Sequence, residues 1–73
     1  MKEKITQIIN DIVPTLDLDD PDLNLAEDMD SMDILSLISD LEDTFDISIS
    51  MRDKTEENFQ NVDTLVEMVE RLS

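Results

Sequence analysis

Ser31 is the residue of this sequence whose type and position best suit covalent chemistry. It stands between Asp30 and Met32, with Asp33 close behind, where a predicted helix begins. The first N–H groups of a helix have no partner within the helix, and the peptide dipoles make that end partly positive. A phosphodiester formed on the Ser31 hydroxyl would face these unpaired N–H groups and the positive end of the helix dipole. Serine is also common at helix starts, so position alone leaves a modification site and a purely structural serine equally open.

Catalysis by the usual side-chain routes is not expected, and we assign no catalytic residue. A serine nucleophile needs a base, but the chain has no histidine, and its lysines stand outside any recognisable catalytic motif. Acidic pairs carry little information where 20 of 73 residues are Asp or Glu. The sequence therefore predicts a protein that is not an enzyme.

A cluster of aspartates at positions 17, 19, 20 and 22 raises the question of calcium binding. The EF-hand loop needs acidic residues at alternating positions, a glycine at its turn and a closing glutamate. Here Pro21 takes the third alternating position, and the chain has no glycine. We expect weak, diffuse cation binding by a solvated loop and assign no metal site.

The composition is strongly acidic, with a formal net charge of −15 on 73 residues. Such a surface repels nucleic acid and anionic membranes and favours partners with basic patches. Disorder is the alternative, but 40% of the residues are hydrophobic and regularly spaced. Residues 1–73 are predicted to form one domain, a monomer. The chain has no cysteine and no apolar run typical of a membrane span or signal peptide, so we expect it in the cytoplasm.

Apolar spacing predicts the elements that must position Ser31. A first helix is expected over Lys2–Val13, because Pro14 ends it and isoleucines form one face: Ile5, Ile8, Ile9 and Ile12. Residues 15–29 are predicted to form a long ordered loop whose leucines reach the core: Leu16, Leu18, Leu23 and Leu25.

A second helix is predicted over Ser31–Phe45, with Asp30 as its N-cap and a hydrophobic staple between Met29 and Ile34. Its acidic residues suggest a recognition side: Asp33, Asp40 and Asp43. Its apolar stripe is expected to face the core: Met32, Leu35, Ile38, Leu41 and Phe45, widened by Ile34 and Leu37.

The remaining residues predict a short extended connection at Ile47 and Ile49, one helical turn around Thr55–Phe59, and a last helix. The last helix is expected over Asp63–Arg71, with Asp63 as N-cap and one side facing the core: Leu65, Val66, Val69 and Leu72. The predicted fold class is all-α, a small bundle of three main helices and one short helix, with a long ordered loop between the first two helices.

The motifs around Ser31 belong to a longer pattern. The run LAEDMDSMDILSLISDLEDTFDISI contains Asp30-Ser31-Met32 and ends in an acidic-Phe-acidic segment around Phe45, while FQNVDTL follows at residues 59–65. This pattern resembles the acyl carrier protein family, which has an Asp-Ser-Leu motif at a helix start, an apolar stripe and an acidic-Phe-acidic segment. The resemblance covers nearly the whole chain.

The resemblance implies that Ser31 receives 4′-phosphopantetheine from coenzyme A, through a phosphopantetheinyl transferase that uses Mg²⁺. The arm would carry acyl groups as thioesters between enzymes. Asp30 would help the transferase orient Ser31, and Met32 would add an adaptable apolar contact. The acidic side of the second helix would dock basic patches on acyl-loading and acyl-processing enzymes: Asp33, Asp40 and Asp43.

Departures from the family pattern concern the choice of partners. Asp28 replaces a common glycine, Met32 replaces leucine, Ser36 replaces the glutamate of the fatty-acid type, and Ser50 replaces a proline. These changes favour a specialised carrier from an accessory pathway. Fatty-acyl or polyketide-type cargo is the leading hypothesis, an aminoacyl or peptidyl carrier of the same fold is the second, and an acidic helical adaptor without cofactor is the third.

An expandable apolar pocket for the cargo is predicted between the helices, although its residues are at least partly ordinary core. The predicted lining is Ile34, Leu35, Ile38, Met51, Phe59, Val66 and Val69.

Overall fold

The computed structural model describes residues 1–73 and contains helices and connecting segments without a β-strand. The helices are α1 (Lys2–Ile12), α2 (Leu25–Asp28), α3 (Ser31–Phe45) and α4 (Val62–Leu72), and a 3₁₀ helix spans Met51–Asp53. The all-α fold class is confirmed, and α3 has the predicted bounds. No helix combines the length and apolar character that crossing a membrane requires.

The core is one cluster of 15 buried residues, all of them apolar. Helix α1 packs against both α3 and α4, and its Ile5 and Ile9 are fully buried. The loop between α1 and α3 contributes Leu23, Leu25 and Met29 to this cluster, as predicted for the leucines, while Leu16 and Leu18 pack against its edge. Four-residue α2, which the sequence did not predict, lies within this loop.

The predicted apolar stripe of α3 is wrong at its start. Leu37, Ile38 and Leu41 are buried, but Met32 and Leu35 are 79% and 62% exposed. Each helical residue turns the chain by about 100°, so Met32 lies about 160° around the helix from core-facing Ile34. Leu35 lies on the flank of the helix. The packed side of α3 is therefore narrower than its apolar residues suggest.

Helix α4 begins earlier than predicted and has a different N-cap. The Asn61 side chain accepts a hydrogen bond from the Thr64 N–H at 2.9 Å, and the Thr64 hydroxyl accepts one from the Asn61 N–H at 3.0 Å. This capping box corrects the prediction of Asp63, which lies in the first turn and pairs with Lys2 at 3.2 Å. Along α4, Met68 is fully buried although the predicted core side omitted it, and Val66 and Leu72 are half-buried.

The end of α3 is fixed by two acidic residues that have structural roles. Asp46 adopts a left-handed conformation (φ 53°, ψ 53°), and its N–H donates to the Glu42 carbonyl. The Glu42 side chain then accepts a hydrogen bond from the Ile49 N–H at 2.9 Å. Glu42 thus holds the extended connection against α3, so that Ile47 and Ile49 are buried.

The segment after this connection contains a 3₁₀ helix that was not predicted and, after it, the single helical turn predicted at residues 55–59. The short helix is the 3₁₀ helix at Met51–Asp53, where the Ser50 hydroxyl donates to the Asp53 carboxylate at 3.0 Å. Thr55–Phe59 forms one turn of the α-helical type, because the Phe59 N–H donates to the Thr55 carbonyl at 3.1 Å, and the Asn58 N–H donates to the Thr55 hydroxyl at 3.3 Å. The hydrogen bond between Ser50 and Asp53 stabilises the 3₁₀ helix.

Candidate functional site

Ser31 is the first residue of α3, and its side chain is free. The residue is exposed, and its hydroxyl makes no hydrogen bond within the chain. Asp30 occupies the predicted N-cap position with extended backbone (φ −66°, ψ 160°), but its carboxylate accepts no hydrogen bond from the helix. The N–H groups of Ser31, Met32 and Asp33 consequently have no acceptor in the protein, and the first bond of the helix is from the Ile34 N–H to the Asp30 carbonyl at 2.9 Å.

This uncapped end is suited to a negatively charged group. Three unpaired N–H groups at the start of a 15-residue helix combine hydrogen-bond donors with the positive end of the helix dipole. Asp30 and Asp33 partly offset that potential with their own charges. A phosphodiester on the Ser31 oxygen would satisfy donors that the chain itself leaves free.

The segment before Ser31 is held in place by backbone hydrogen bonds to a distant part of the chain. The Leu25 N–H donates to the Gln60 carbonyl at 2.9 Å, and the Ala26 N–H donates to the Phe59 carbonyl at 3.0 Å. Met29, two residues before the serine, is buried in the core. Ser31 therefore stands at an exposed corner whose backbone is anchored on both sides.

An apolar cleft opens beside Ser31, with a volume of about 410 Å³. We call it the serine cleft. It lies between α2, α3 and the turn before α4, and its lining is Ala26, Met29, Ser31, Ile34, Leu35, Ile38, Lys54, Thr55, Glu56 and Phe59.

Four of the seven residues predicted to line a cargo pocket line the serine cleft, and three do not. Ile34, Leu35, Ile38 and Phe59 line the serine cleft, but Met51 is 83% exposed and lies outside it. Val66 and Val69 belong to α4, which packs against α1, and neither lines the cleft. Ala26, Met29 and Lys54 were missed because they come from the loop and the turn, where no period shows which way a side chain faces.

The three acidic residues expected to form a recognition side lie on the outer part of α3. Asp40 and Asp43 are exposed, and Asp33 is half-buried. Exposed Met32 and Leu35 lie on the same helix near Ser31. The surface next to the serine therefore combines carboxylates with two large apolar side chains, both accessible to a partner.

A larger concavity, about 540 Å³, lies away from Ser31 between α1, the first loop and the start of α4. Its walls are mainly polar and include Asp17, Asp19 and Asp20. The Asp17 carboxylate accepts from the Asp19 N–H at 3.0 Å, and the Asp20 carboxylate accepts from the Asp22 N–H at 2.9 Å. These carboxylates shape turns in the loop, and no three acidic groups of the chain come together as a metal site.

Comparison with known proteins gives one match that spans the site. The family model described as "Phosphopantetheine attachment site" matches residues 3–72. No significant match is found among curated proteins or among solved structures. The family match includes the exposed serine, the uncapped helix start and the cleft in one continuous segment.

Proposed function

The chain belongs to the phosphopantetheine attachment family of acyl carrier proteins, and from this premise we propose that Ser31 carries the 4′-phosphopantetheine group. Members of the family hold this group covalently and are carriers, not enzymes. When bound, the group supplies a thiol that holds cargo as a thioester. The observation that supports Ser31 as the attachment residue is its free, exposed hydroxyl at the uncapped start of α3.

Attachment joins the accessible Ser31 oxygen to the phosphopantetheine group of coenzyme A, and a transferase catalyses the reaction with Mg²⁺. The Ser31 oxygen forms a bond to the phosphorus of coenzyme A that bears pantetheine, and the bond from that phosphorus to the adenosine bisphosphate breaks. A base of the transferase takes the hydroxyl proton, because this chain has no histidine to do so. Asp30 has a free carboxylate next to the serine and is proposed to help orient it in the transferase.

The cargo is proposed to be an acyl group of the fatty-acyl or polyketide type. The serine cleft supports this, because six of its ten lining residues are hydrophobic and three of them, Met29, Ile38 and Phe59, are buried core residues. Methylene groups gain free energy on leaving water for such a surface. An aminoacyl cargo would bring a charged ammonium group to the same place and lose that gain.

Partner enzymes are proposed to dock on the outer side of α3. Asp40 and Asp43 are exposed there, and Asp33 lies nearer the serine. Charge pairs at an accessible surface accelerate association and remain salt-sensitive, which suits a carrier that must leave each partner quickly. Exposed Met32 and Leu35 add apolar contact close to the attachment point. The chain is proposed to work as a single-domain monomer over residues 1–73.

The deciding experiment is intact mass after incubation with coenzyme A, Mg²⁺ and a broad-specificity phosphopantetheinyl transferase. Wild type is expected to gain one phosphopantetheine group, Ser31→Ala none, and the matched control Ser36→Ala one, since Ser36 is also an exposed serine of α3. An adduct on folded Ser31→Ala would show that the group is attached to a residue other than Ser31. No adduct on folded wild type, while another carrier protein in the same tube is modified, would favour the acidic adaptor without cofactor.

A further inference from the structure

Lys54 is the basic residue on the wall of the serine cleft. The nine other lining residues are six apolar side chains, Ser31, Thr55 and Glu56. The chain has five basic residues against 20 acidic ones, so a cation beside the proposed attachment point stands out against a charge of −15. Sequence periodicity could not place it there.

The Lys54 ammonium group has no ion-pair partner within the protein. The one ion pair of the chain joins Lys2 and Asp63. Neighbouring Asp53 accepts a hydrogen bond from the Ser50 hydroxyl at 3.0 Å, and Glu56, on the same wall, forms no ion pair with the lysine. The charge of Lys54 is therefore available to a group that enters the cleft.

The peptide unit that joins Asp53 to Lys54 is held by hydrogen bonds at both its N–H and its carbonyl. The Lys54 N–H donates to the Met51 carbonyl at 3.3 Å. The adjacent Asp53 carbonyl accepts from the Asn58 side chain at 2.8 Å, and the Asn58 amide oxygen accepts from Arg71 of α4 at 2.9 Å. This chain of bonds ties the segment to α4, so the base of the lysine side chain keeps its place at the cleft.

We propose that Lys54 binds an oxyanion of the group attached to Ser31, an inference that rests on the proposed function. Two sources share this chemistry: the phosphodiester next to the serine, and a carboxylate at the end of an acyl cargo. An ammonium group at the edge of an apolar surface attracts an anion more strongly than one in bulk water. A dicarboxylic cargo would place its methylenes on the apolar wall and its carboxylate at Lys54. An aminoacyl cargo would meet a like charge there.

The test compares wild type and Lys54→Gln in four forms: apo, the unacylated arm, a pentanoyl arm and a glutaryl arm. The last two have equal carbon chains and differ in the terminal carboxylate. The transferase loads each from its coenzyme A derivative, and intact mass verifies each adduct. The melting temperature at low ionic strength and the NMR shifts of the Lys54 ε-methylene are measured. Lys4→Gln is the control, because it makes the same change in net charge at an exposed position outside the cleft.

If the carboxylate is the ligand, the difference in melting temperature between wild type and Lys54→Gln will be larger in the glutaryl form than in the pentanoyl form. The expected increase is about 2–4 °C, which is the shift of a partly exposed ion pair in a small domain. If the phosphodiester is the ligand, the same difference will appear between the apo and arm-bearing forms and stay constant among cargoes. In either case the ε-methylene resonances will move at that step, and Lys4→Gln will behave as wild type.

Equal effects of Lys54→Gln in all four forms, with no movement of the resonances, would overturn the assignment while leaving the proposed function intact, since loading is verified separately. Failure to load wild type at Ser31 would overturn both.

Discussion

The Glu42 carboxylate accepts a hydrogen bond from the backbone N–H of Ile49 at 2.9 Å. Glu42 therefore stabilises the fold, while its neighbour Asp43 is exposed and accessible to a partner protein. The distinction cannot be made by residue type, since both are carboxylates in the same turn.

Removing the Glu42 carboxylate is expected to destabilise the protein. Glu42→Ala leaves the buried connection at Ile49 without its acceptor, and a hydrogen bond to a charged group contributes about 1.5–3 kcal/mol. Asp43→Ala is the matched control and is expected to change the free energy of unfolding by less than about 0.5 kcal/mol. Urea unfolding measures both, and equal effects would show that the Glu42 bond contributes nothing specific.

The N-cap of α4 is expected to be Asn61 in solution, as the capping box indicates. Asn61→Ala should lower the free energy of unfolding by about 1 kcal/mol. Asp63→Ala should cost less, because its pair with Lys2 joins side chains that are 65% (Lys2) and 77% (Asp63) exposed. Thermal unfolding of the two variants measures both losses of stability. A larger loss for Asp63→Ala than for Asn61→Ala would indicate that Asp63 is the N-cap, as predicted from the sequence.

Asp46 is expected to be a site where glycine stabilises. Its left-handed backbone costs a residue with a side chain about 1–2 kcal/mol, and its negative charge stands at the unfavourable end of the helix dipole. Glycine removes both of these costs. It also gives the unfolded chain more conformational freedom, which lowers the free energy of unfolding by about 0.5–1 kcal/mol. The expected net gain for Asp46→Gly is about 1 kcal/mol, measured by urea unfolding. Asp46→Asn isolates the charge, and a loss on Asp46→Gly would contradict the account.

Salt is expected to raise the melting temperature. The chain carries a net charge of −15 and has one ion pair, which is exposed, so repulsion between carboxylates exceeds the attraction between opposite charges. Ionic strength of about 0.15 M shortens the range of that repulsion to about 8 Å. A series of melting curves in NaCl, with and without MgCl₂, measures the effect. Melting that does not change with salt would show that the repulsion has no role in stability.

A longer acyl chain is expected to stabilise the loaded protein if the serine cleft takes up its methylenes. Each fully buried methylene contributes about 0.8 kcal/mol to stability, and a methylene that is only partly covered in an open cleft contributes less. The melting temperature should therefore rise from the butyryl to the octanoyl form. Ala26→Leu, which fills part of the lining, should reduce the rise. Equal melting of the two acyl forms would indicate exposed cargo.

The sequence determined the elements that depend on local chemistry. Pro14 ends α1 because it cannot donate to a helix, and Asp30 starts α3 because the apolar period begins after it, so the bounds of α3 were predicted correctly. Ser31 was singled out from the same local signals and from the motif around it. These features depend on backbone geometry within a few residues, which the sequence specifies directly.

The contacts between distant residues depend on tertiary packing, which the pattern of residue types does not specify. Helix α2 has a local N-cap, because the Asn24 side chain accepts from the Ala26 N–H at 3.1 Å, but its first N–H groups also donate to the Phe59 and Gln60 carbonyls, over 30 residues away. Met32 is exposed although apolar, since α3 turns that side away from α1. Lys54 reaches the serine cleft through a turn tied to α4. A period shows that a helix has an apolar side, but the packing of neighbouring segments determines how much of it is covered and which charges stand at its edge.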